Sequence, residues 1–262
     1  METVNQKLAR LSKWKLHQFY ARYPHIAPYL PPAARLSQPS LNRFLDLYRR
    51  GVYIKANRVH TGKGVIKAWK MGKGYRFVIV KGDVQHAASV KDLHSQIVRF
   101  MPNRSFLVQK AIDLATVSGR SFDIRVMMMR DGHRNWNYAG MVAKVNGTGS
   151  IVSNVRRGGG YVMTVEQALR QSLKCSTQRI ESIKKTLIQL SRDIMSASES
   201  YPFFSYQCGI DLAVDKQGKV WVIEVNLHNP SHSLFNRLQD KTFFRTIRRL
   251  HRAYRRNNKR VI

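Results

Sequence analysis

Short apolar stretches separated by turn residues predict β-strands through most of this chain. The clearest are "GVYIKA", "SFLVQKAI", "FDIRVMMMR" and "NWNYAGMVAKV", and further strands broken by glycine turns lie in "VIKAWKMGKGYRFVIV". The link "DGHR" between the two strands it joins predicts a β-hairpin. A last pair of apolar strands fills "GIDLAVDKQGKVWVIEVN", from Gly209 to Asn226. The strand pattern is therefore that of hairpins, in which neighbouring strands are mostly antiparallel.

Helical spacing of apolar residues predicts helices between and after these strands. One helix covers "SVKDLHSQIVRFM", and a long amphipathic helix covers about 165 to 199. The tail is predicted to be a basic helix with Phe243, Ile247, Leu250 and Tyr254 on one stripe. The first fifty residues predict two basic helices that the prolines of "YLPPAARLSQPS" separate. Helices and antiparallel hairpins in this order predict an α+β fold.

The charge of the chain is strongly unbalanced. Its 262 residues contain 46 Lys and Arg but 15 Asp and Glu, a formal net charge of +31. Such an excess attracts polyanions, so nucleic acid, anionic polymers, acidic proteins and anionic lipid are candidate partners. A hydrophobic content of 43% excludes a disordered chain.

Compartment signals are few. No stretch approaches the roughly 18 apolar residues of a membrane span, and the first twenty residues have no apolar signal-peptide core. Cys175 and Cys208 belong to no metal-binding spacing. We therefore expect reduced thiols in a cytoplasmic protein.

Two carboxylates interrupt the apolar strands of the last hairpin. If Gln217-Gly218 forms a two-residue turn, Asp211 lies directly opposite Glu224, about 5 Å away, and Asn226 joins the same face. A three-residue turn would shift this pairing by one position. Like charges placed opposite each other are destabilising, so a shared proton or a bound cation must offset the repulsion. Two carboxylates and an amide oxygen suit Mg²⁺, whereas the alternative is a solvated hairpin face with incidental acids.

A phosphate-binding segment would complete such a site, and "VYIKANRVHTGKG" is the candidate. Lys55 lies on a predicted strand, and Gly62, Lys63 and Gly64 follow in a turn whose N–H groups could approach phosphate oxygens. The spacing matches neither G-x-x-x-x-G-K-[ST] nor G-x-G-x-x-G. An ordinary tight turn is therefore the alternative interpretation.

Other stretches carry residues of the kind that phosphoryl transfer uses. Arg125 shares a strand face with Asp123, and it could stabilise charge on a phosphoryl group or form a salt bridge within the sheet. The glycine-rich "SNVRRGGG" contains Asn154 and Arg156, and it could close over an anionic substrate or be a plain basic loop. The backbone of "VQKAI" could meet an adenine, as could that of any apolar strand.

Together and in this order, these segments resemble the ATP-grasp superfamily over nearly the whole chain. The resemblance runs from "SKWKLHQFY" through "YIKANRVHTGKGV", "FLVQKAIDLA", "GRSFDIRV" and "SIVSNVRRGGG" to "GIDLAVDKQGKVWVIEVNLHNPSHSLF". The Asp-x12-Glu-x-Asn spacing and the "NPSHSL" that follows are similar to the metal motif of D-alanine–D-alanine ligases and its flank. Within the superfamily, the blocks "PYLP", "GKG", "DIRV" and "IEVN" are most similar to endospore coat-associated YheC/YheD-type proteins.

This resemblance implies a fold in which two α+β subdomains clasp ATP between mostly antiparallel sheets. The implied Mg²⁺ ligands are Asp211, Glu224 and Asn226. The residues implied to contact the nucleotide are Lys55, Gly62, Lys63, Gly64, Gln109, Lys110 and Ile112. Those implied near the reacting phosphoryl group are Arg125, Lys144, Asn154 and Arg156.

The superfamily's usual reaction implies an ATP-dependent carboxylate–amine ligase, in which ATP phosphorylates a carboxylate and an amine attacks the acyl phosphate. The basic surface would then favour an acidic peptide or polymer as substrate. Two other hypotheses stay open: a nucleotide-binding spore-coat assembly protein without ligase activity, and a basic polyanion-binding protein. Nucleic acid is the less favoured partner, and the resemblance places a cytoplasmic protein at the forming spore coat.

The sequence departs from the family pattern at two positions. Ala56 follows the strand lysine where proline is usual, and Gly209 stands where D-alanine ligases carry an arginine. YheC/YheD-type proteins often have an additional N-terminal region, whereas this chain begins almost at the ATP-grasp core, so a substrate-binding domain would be missing or supplied by a partner. The predicted organisation is an N-terminal helical segment (1–50), a small subdomain (51–112), a C-terminal subdomain with the metal site (113–236) and a basic helix (237–262).

Overall fold

The computed structural model describes residues 11–59, 64–79, 82–147 and 159–258. It contains two antiparallel sheets, each of six strands. The strands of the first sheet are Ala33–Arg35 (β1), Val52–Ala56 (β2), Val65–Met71 (β3), Gly74–Ile79 (β4), Gln85–Ala87 (β5) and Phe106–Lys110 (β6). The strands of the second sheet are Thr116–Val117 (β7), Arg120–Arg130 (β8), Trp136–Val145 (β9), Tyr161–Met163 (β10), Gln207–Val214 (β11) and Val220–Asn226 (β12).

Six α-helices accompany the sheets in the described part of the chain. They are Lys13–Tyr20 (α1), Gln38–Leu47 (α2), Val90–Phe100 (α3), Val165–Leu173 (α4), Thr177–Ser198 (α5) and Thr242–Asn257 (α6). Short 3₁₀ helices lie at Ala27–Tyr29 and Phe235–Arg237. The predicted α+β class is confirmed. No described helix combines the length and the apolarity that a membrane crossing needs.

The strand order shows that two charged residues, Lys55 and Asp211, lie on inner strands of the sheets. The first sheet has the order β1-β6-β2-β3-β4-β5, and the second has β10-β9-β8-β11-β12 with β7 beside β8. Lys55 therefore lies on an inner strand of the first sheet, and Asp211 lies on an inner strand of the second. The two residues belong to strands that are buried on at least one face, so charged side chains there are exceptional.

The two faces of the second sheet bury different helices. In β8, Phe122, Ile124, Val126 and Met128 pack with α4 and α5, whereas Met127 and Met129 pack with Ile247 and Leu250 of α6. Side chains of a strand alternate between faces, so Asp123 and Arg125 share the face that α6 covers further along. The predicted stripe on the C-terminal helix is confirmed, because Ile247, Leu250 and Tyr254 are buried.

Most of the described helices begin at a residue whose side chain caps the helix N-terminus. Ser37 and Thr164 form capping boxes with residues three positions on, and Ser89 and Ser176 each accept a hydrogen bond from a backbone N–H of the first turn. The prediction of one helix over about 165 to 199 is wrong in one respect, because the segment forms two helices. Lys174 adopts a left-handed backbone (φ 48°) that ends α4, and Ser176 begins α5.

Two other segments differ from their predictions. The first fifty residues were predicted as two helices, but β1 lies between α1 and α2 and pairs with β6. Pro31 and Pro32 precede β1, and their restricted backbone favours an extended chain there. No strand is predicted after the glycine-rich "SNVRRGGG", but β10 lies there and pairs with β9. Pairing with a long neighbouring strand supplies the hydrogen bonds that local sequence does not signal.

Helix α1 connects the two sheets. Its first turn is tied to the residue after β2, because the backbone N–H groups of Lys13 and Trp14 donate to the carbonyl and side-chain oxygens of Asn57 at 3.1 and 3.0 Å. Its last turn is tied to α5, because the Tyr20 hydroxyl lies 2.8 Å from that of Ser198. The helix thus lies between the first sheet and the core of the second.

Candidate functional site

The hairpin of β11 and β12 places Asp211 directly opposite Glu224. The two-residue turn assumed at Gln217-Gly218 is wrong. The turn has three residues, 216–218, and Asp215 pairs with Lys219 through a 3.0 Å backbone hydrogen bond. Gly218 has the positive φ of 84° that this turn requires.

A β-bulge restores the predicted pairing. Leu212 pairs with Val222, but Asp211 pairs with Glu224, so Ile223 is the extra residue on β12. The shift caused by the longer turn is cancelled by the bulge. The two acids consequently lie opposite each other, as the sequence predicted for a different reason.

Asp211 is surrounded by cations of its own sheet. Arg125 of β8, which is its direct partner in the register, donates to both carboxylate oxygens through Nε and Nη2 at 2.8 Å each. Lys144 of β9 donates to Oδ1 at 2.8 Å. The side chains of all three are at least 88% buried. Burial alone would raise the pKa of Asp211, but Arg125 and Lys144 hold it well below its usual range.

A second buried acid shares Lys144. Asp123 is opposite Lys144 in the register, and its Oδ1 lies 2.7 Å from Nζ of that lysine. Burial raises the pKa of Asp123, and Lys144 offsets part of the rise. Lys144 thus bridges two carboxylates, and these acids in turn raise its own pKa against the effect of burial.

Glu224 and Asn226 face the cleft from β12. The Nδ2 of Asn226 lies 3.2 Å from Oδ2 of Asp211. Glu224 is 30% exposed, and its Oε1 lies 3.1 Å from Nζ of Lys13. Lys13 also donates to the carbonyl of Val59 at 2.7 Å. Asp211 and Glu224 are therefore each neutralised by lysine or arginine from another element.

Across the cleft, the first sheet presents Lys55 and Gln109. The Nζ of Lys55 donates to Oε1 of Gln109 at 2.7 Å. Burial lowers the pKa of Lys55 to about 8, although the nearby Glu224 offsets part of this effect. His17 of α1 lies beside them, and burial together with Lys55 lowers its pKa to about 4. Near neutral pH the cleft therefore contains the neutral imidazole of His17 next to the ammonium group of Lys55, which loses its proton more readily than that of an ordinary lysine.

Some of these residues line one cleft between the two sheets and α1, whereas Asp123, Arg125, Lys144 and Asp211 are not among its lining residues. Its walls are contributed by α1 through Lys13 and His17, by the first sheet through Lys55 and Gln109, and by β12 from 222 to 226. Leu107 and Val222 supply apolar surface. A cleft with apolar walls and converging lysines and carboxylates is the kind of site that binds a small charged ligand.

The hairpin donors fit a magnesium ion in their chemistry. Asp211, Glu224 and Asn226 supply hard oxygen ligands from adjacent strands, and Glu224 is open to the cleft. In the described part of the chain, no group of three or more His, Cys, Asp and Glu residues is arranged to hold a metal ion. The lysine and arginine contacts show that these acids accept positive charge.

The remaining predicted residues fall in three places. Lys110 lies over the rings of Tyr48 and Trp221, at 5.4 and 5.7 Å from their centroids. Ile112 is half-buried just after β6, and Gly64, with a φ of 76°, immediately precedes β3 and lies beside Ala56. Gly62, Lys63, Asn154 and Arg156 lie outside the described residues.

The packing around position 209 explains why glycine is present there. A Cβ added there would lie 2.7 Å from Nη1 of Arg125 and 2.8 Å from Cβ of Pro230. Glycine thus leaves the space that the Arg125 guanidinium occupies.

Lys13 is the residue that sequence reasoning missed. It is the first residue of α1, next to the Ser12 cap, and the first turn contains no acid. A cation at a helix N-terminus faces the positive end of the helix dipole and is unfavourable there. That unfavourable position is the signal that could have identified it as a functional cation.

Comparisons with known proteins agree with this geometry. A family described as "YheC/D like ATP-grasp" matches residues 1–256. The endospore coat-associated proteins YheD and YheC of Bacillus subtilis (strain 168) are 28% identical over 86% of this chain and 20% identical over 82% of it. The matched regions are 49% and 58% of those proteins, so the chain spans about half the length of the curated relatives it matches.

A solved structure shares the fold. It is the C-terminal domain of K. lactis Pby1, described as an ATP-grasp enzyme interacting with the mRNA decapping enzyme Dcp2. The match has a TM-score of 0.53 and 14% identity, and it covers 90% of this chain and 69% of that one. At this identity, the likeness concerns the fold alone.

Proposed function

Because this chain belongs to the YheC/D-like ATP-grasp family, we propose that it binds Mg²⁺ and ATP and joins a carboxylate to an amine. The observation that carries the proposal is the cleft in which Glu224 of one sheet, paired with the buried Asp211, faces Lys55 of the other. Cations and acids converging from two sheets suit a nucleotide polyphosphate with its metal. The finer assignments below are part of this proposal.

The cations around the candidate site fall into two groups by position. Lys55 and Lys13 lie in the cleft, where they can neutralise the non-reacting phosphates of ATP. Arg125 and Lys144 lie on the second sheet around Asp211, where they can hold the phosphoryl group that is transferred. Gln109, Lys110 and Ile112, at the end of β6, would contact the adenine.

Asp211, Glu224 and Asn226 would hold Mg²⁺, which neutralises the phosphate oxygens when it is bound. Lys13 would exchange its contact with Glu224 for one with the phosphates when the metal is bound. The lysine is then free for the phosphates, so metal and nucleotide are expected to bind together. Asp123 and Lys144 fix the orientation of Asp211 from the other side.

The proposed reaction has two steps. A carboxylate oxygen attacks the γ-phosphorus, the bond between that phosphorus and the β–γ bridging oxygen breaks, and ADP leaves. The amine nitrogen then attacks the acyl carbon, the bond to the phosphate oxygen breaks, and the nitrogen loses a proton to solvent. Arg125, which occupies the space above Gly209, would stabilise the charge on the transferred group in the first step.

A nucleotide-binding role without ligation is the second candidate. The contact between Lys13 and Glu224 favours it, because exchange of this contact for Mg²⁺ and ATP would change how α1 sits between the sheets. Under either candidate, the similarity to endospore coat-associated proteins supports a cytoplasmic protein that acts at the forming spore coat. An acidic peptide or polymer is the proposed class of substrate or partner.

Thermal unfolding with ATP, with and without Mg²⁺, tests the nucleotide site. A ligand at about 100 times its Kd stabilises the folded state by about 2.7 kcal/mol, which raises the melting temperature by a few degrees. We expect a Mg²⁺-dependent rise in the wild type, its loss in Glu224→Ala and its retention in Glu181→Ala, an exposed acid on α5. Absence of any rise in the wild type would contradict the proposal.

Release of ADP then distinguishes the two candidates. With Mg²⁺ and ATP, addition of the correct acid and amine should release ADP in proportion to the amide formed. ATP binding without amide formation from any acid of the proposed class would favour the second candidate.

A further inference from the structure

The C-terminal helix α6 presents a continuous face of arginine. Between 241 and 258 the chain contains no Asp or Glu, and six exposed arginines lie on α6. They are Arg245, Arg248, Arg249, Arg252, Arg255 and Arg256. At about 100° per residue, all six fall within an arc of about 120°, opposite the buried stripe.

The protein itself offers this arginine face little negative charge: Asp240, just before α6, interacts electrostatically with Arg245. In the described ranges, no carboxylate forms an ion pair with any of the six. Arg248 lies over the ring of Phe244 at 5.8 Å, and Nε of Arg252 donates to the carbonyl of Arg248 at 3.3 Å. Six like charges in about three turns repel one another, so a bound polyanion would be stabilising.

The arginine face lies on the same side of the second sheet as the proposed reaction centre. Arg125 and Met127 point to one face of β8, and Met127 packs against α6. The first turn of α6 begins close by, because a Cβ added to Gly140, the register partner of Met127, would lie 2.5 Å from Phe243. Two residues of strand, about 6.6 Å, separate Arg125 from the level at which α6 starts.

The chemistry of the face favours an acidic polypeptide. Every exposed cation on α6 is arginine, whose planar guanidinium pairs with a carboxylate through two hydrogen bonds. Arg245, Arg249, Arg252 and Arg256 follow one another at about 4.5 to 6 Å along the helix. Side chains on one face of an extended peptide recur at about 6.6 Å, a similar interval.

Other anionic surfaces fit less well. The apolar stripe of α6 is buried against the sheet, so the helix has no free apolar face to insert into a lipid bilayer. A nucleic acid would also meet the arginines, but it would not bring a carboxylate to the Arg125 region. We propose that the arginine face binds the acidic polypeptide whose carboxylate the enzyme activates. This inference rests on the proposed function, because it places the substrate of that reaction.

Binding of a labelled oligoglutamate peptide by the full chain tests the inference. The test variant is R245Q/R249Q/R252Q, and the matched control is R170Q/K185Q/R192Q, which removes the same charge from exposed positions on α4 and α5. Those helices pack on the opposite face of the second sheet. Fluorescence anisotropy over a range of salt concentrations gives the affinity of each.

We expect the α6 variant to bind the peptide about tenfold more weakly and the control to change less than about twofold. Equal losses in the two variants would overturn the inference, because the peptide would then be sensing net charge alone. Tighter binding of an RNA of equal charge, lost only in the α6 variant, would also overturn it and assign the face to nucleic acid.

The nucleotide site provides the separate readout. The Mg²⁺–ATP-dependent rise in melting temperature should be unchanged in the α6 variant. If the wild type shows no such rise, the proposed function fails, whatever the peptide does. If the rise is present but the α6 variant binds peptide as the wild type does, only the present inference fails.

Discussion

The ammonium group of Lys13, at the start of the first helix, lies 3.1 Å from a carboxylate oxygen of Glu224, near the end of the last strand. The contact joins the two ends of the fold across the cleft. It also places a lysine where a magnesium ion and a polyphosphate are proposed to bind. The same lysine can neutralise Glu224 before ATP binds and the phosphates afterwards.

Replacement of Lys13 by methionine should weaken ATP binding more than folding. The ion pair is partly exposed, so its loss should change the free energy of unfolding by less than about 1 kcal/mol. Loss of a phosphate-binding cation should raise the Kd for ATP about tenfold. Urea denaturation and calorimetry measure the two effects. Lys15→Met, an exposed change on the same helix, is the control, and equal ATP affinity in all three proteins would contradict the role given to Lys13.

Removal of the Arg125 side chain should destabilise the protein strongly. Arg125→Ala leaves the buried Asp211 with Lys144 as its remaining direct cation, and breaking a buried pair costs about 3 kcal/mol. Arg125→Lys keeps the charge but loses the paired hydrogen bonds, so an intermediate loss is expected. Urea denaturation measures both, with the exposed Arg43→Ala as control. A loss below about 1 kcal/mol in Arg125→Ala would show that Asp211 does not depend on this arginine.

Nucleotide binding should depend on pH through Lys55. Because the pKa of its amine is about 8 in the folded protein, Lys55 is largely charged at pH 7 and largely neutral at pH 9. The Kd for ATP should therefore increase above pH 8, by up to about tenfold per pH unit. Lys55→Arg, which stays charged, should remove this dependence. Calorimetric titrations from pH 6.5 to 9.5 would reveal a flat wild-type profile if the assignment is wrong.

The lowered pKa of Lys55 is expected to weaken ATP binding at high pH, but to make the stability of the folded protein increase as the pH rises. The folded pKa of Lys55 lies below its ordinary value of 10.5, so the folded state binds fewer protons than the unfolded state between about pH 8 and 10.5. The contribution of Lys55 to the free energy of unfolding therefore rises with pH through that window. Comparison of wild type and Lys55→Met by urea denaturation at pH 8 and 10 isolates this term.

Gly140 should tolerate no side chain. Its φ is 148°, and a Cβ would lie 2.5 Å from the ring of Phe243, so Gly140→Ala should cost about 2 to 3 kcal/mol by displacing the start of α6. Gly119→Ala is the matched control, since Gly119 has a φ of 75° and no atom within 4 Å of its added Cβ. It should lose about 1 kcal/mol from the backbone term alone. Equal losses in thermal unfolding would mean that contact with Phe243 is not the cause.

Periodicity in the sequence predicted the elements well where one face of each is buried. The two long strands β8 and β9 and the stripe of α6 follow directly from alternating or helical spacing. The break between α4 and α5 was missed because the apolar spacing continues past it. Only the backbone of Lys174, which is left-handed without glycine, interrupts the helix.

The candidate site was predicted in part, for an identifiable reason. Asp211, Glu224 and Asn226 stand out because acids are rare in apolar strands. Lys13 is one of 46 basic residues, so its position at a helix N-terminus is a weak signal, and its role depends on the packing of α1 between the sheets. Sequence spacing shows partners within one hairpin, but it cannot show those that tertiary packing brings from the other end of the chain.

The three-residue turn and the bulge at Ile223 form a compensated pair of length changes. In evolution, the loss of either one alone would move Glu224 to the other face of β12 and away from Asp211. A descendant that keeps the paired acids must therefore keep both irregularities or lose both together. A related hairpin in which only the turn or only the bulge has changed length is therefore expected to have lost the pairing of the two acids.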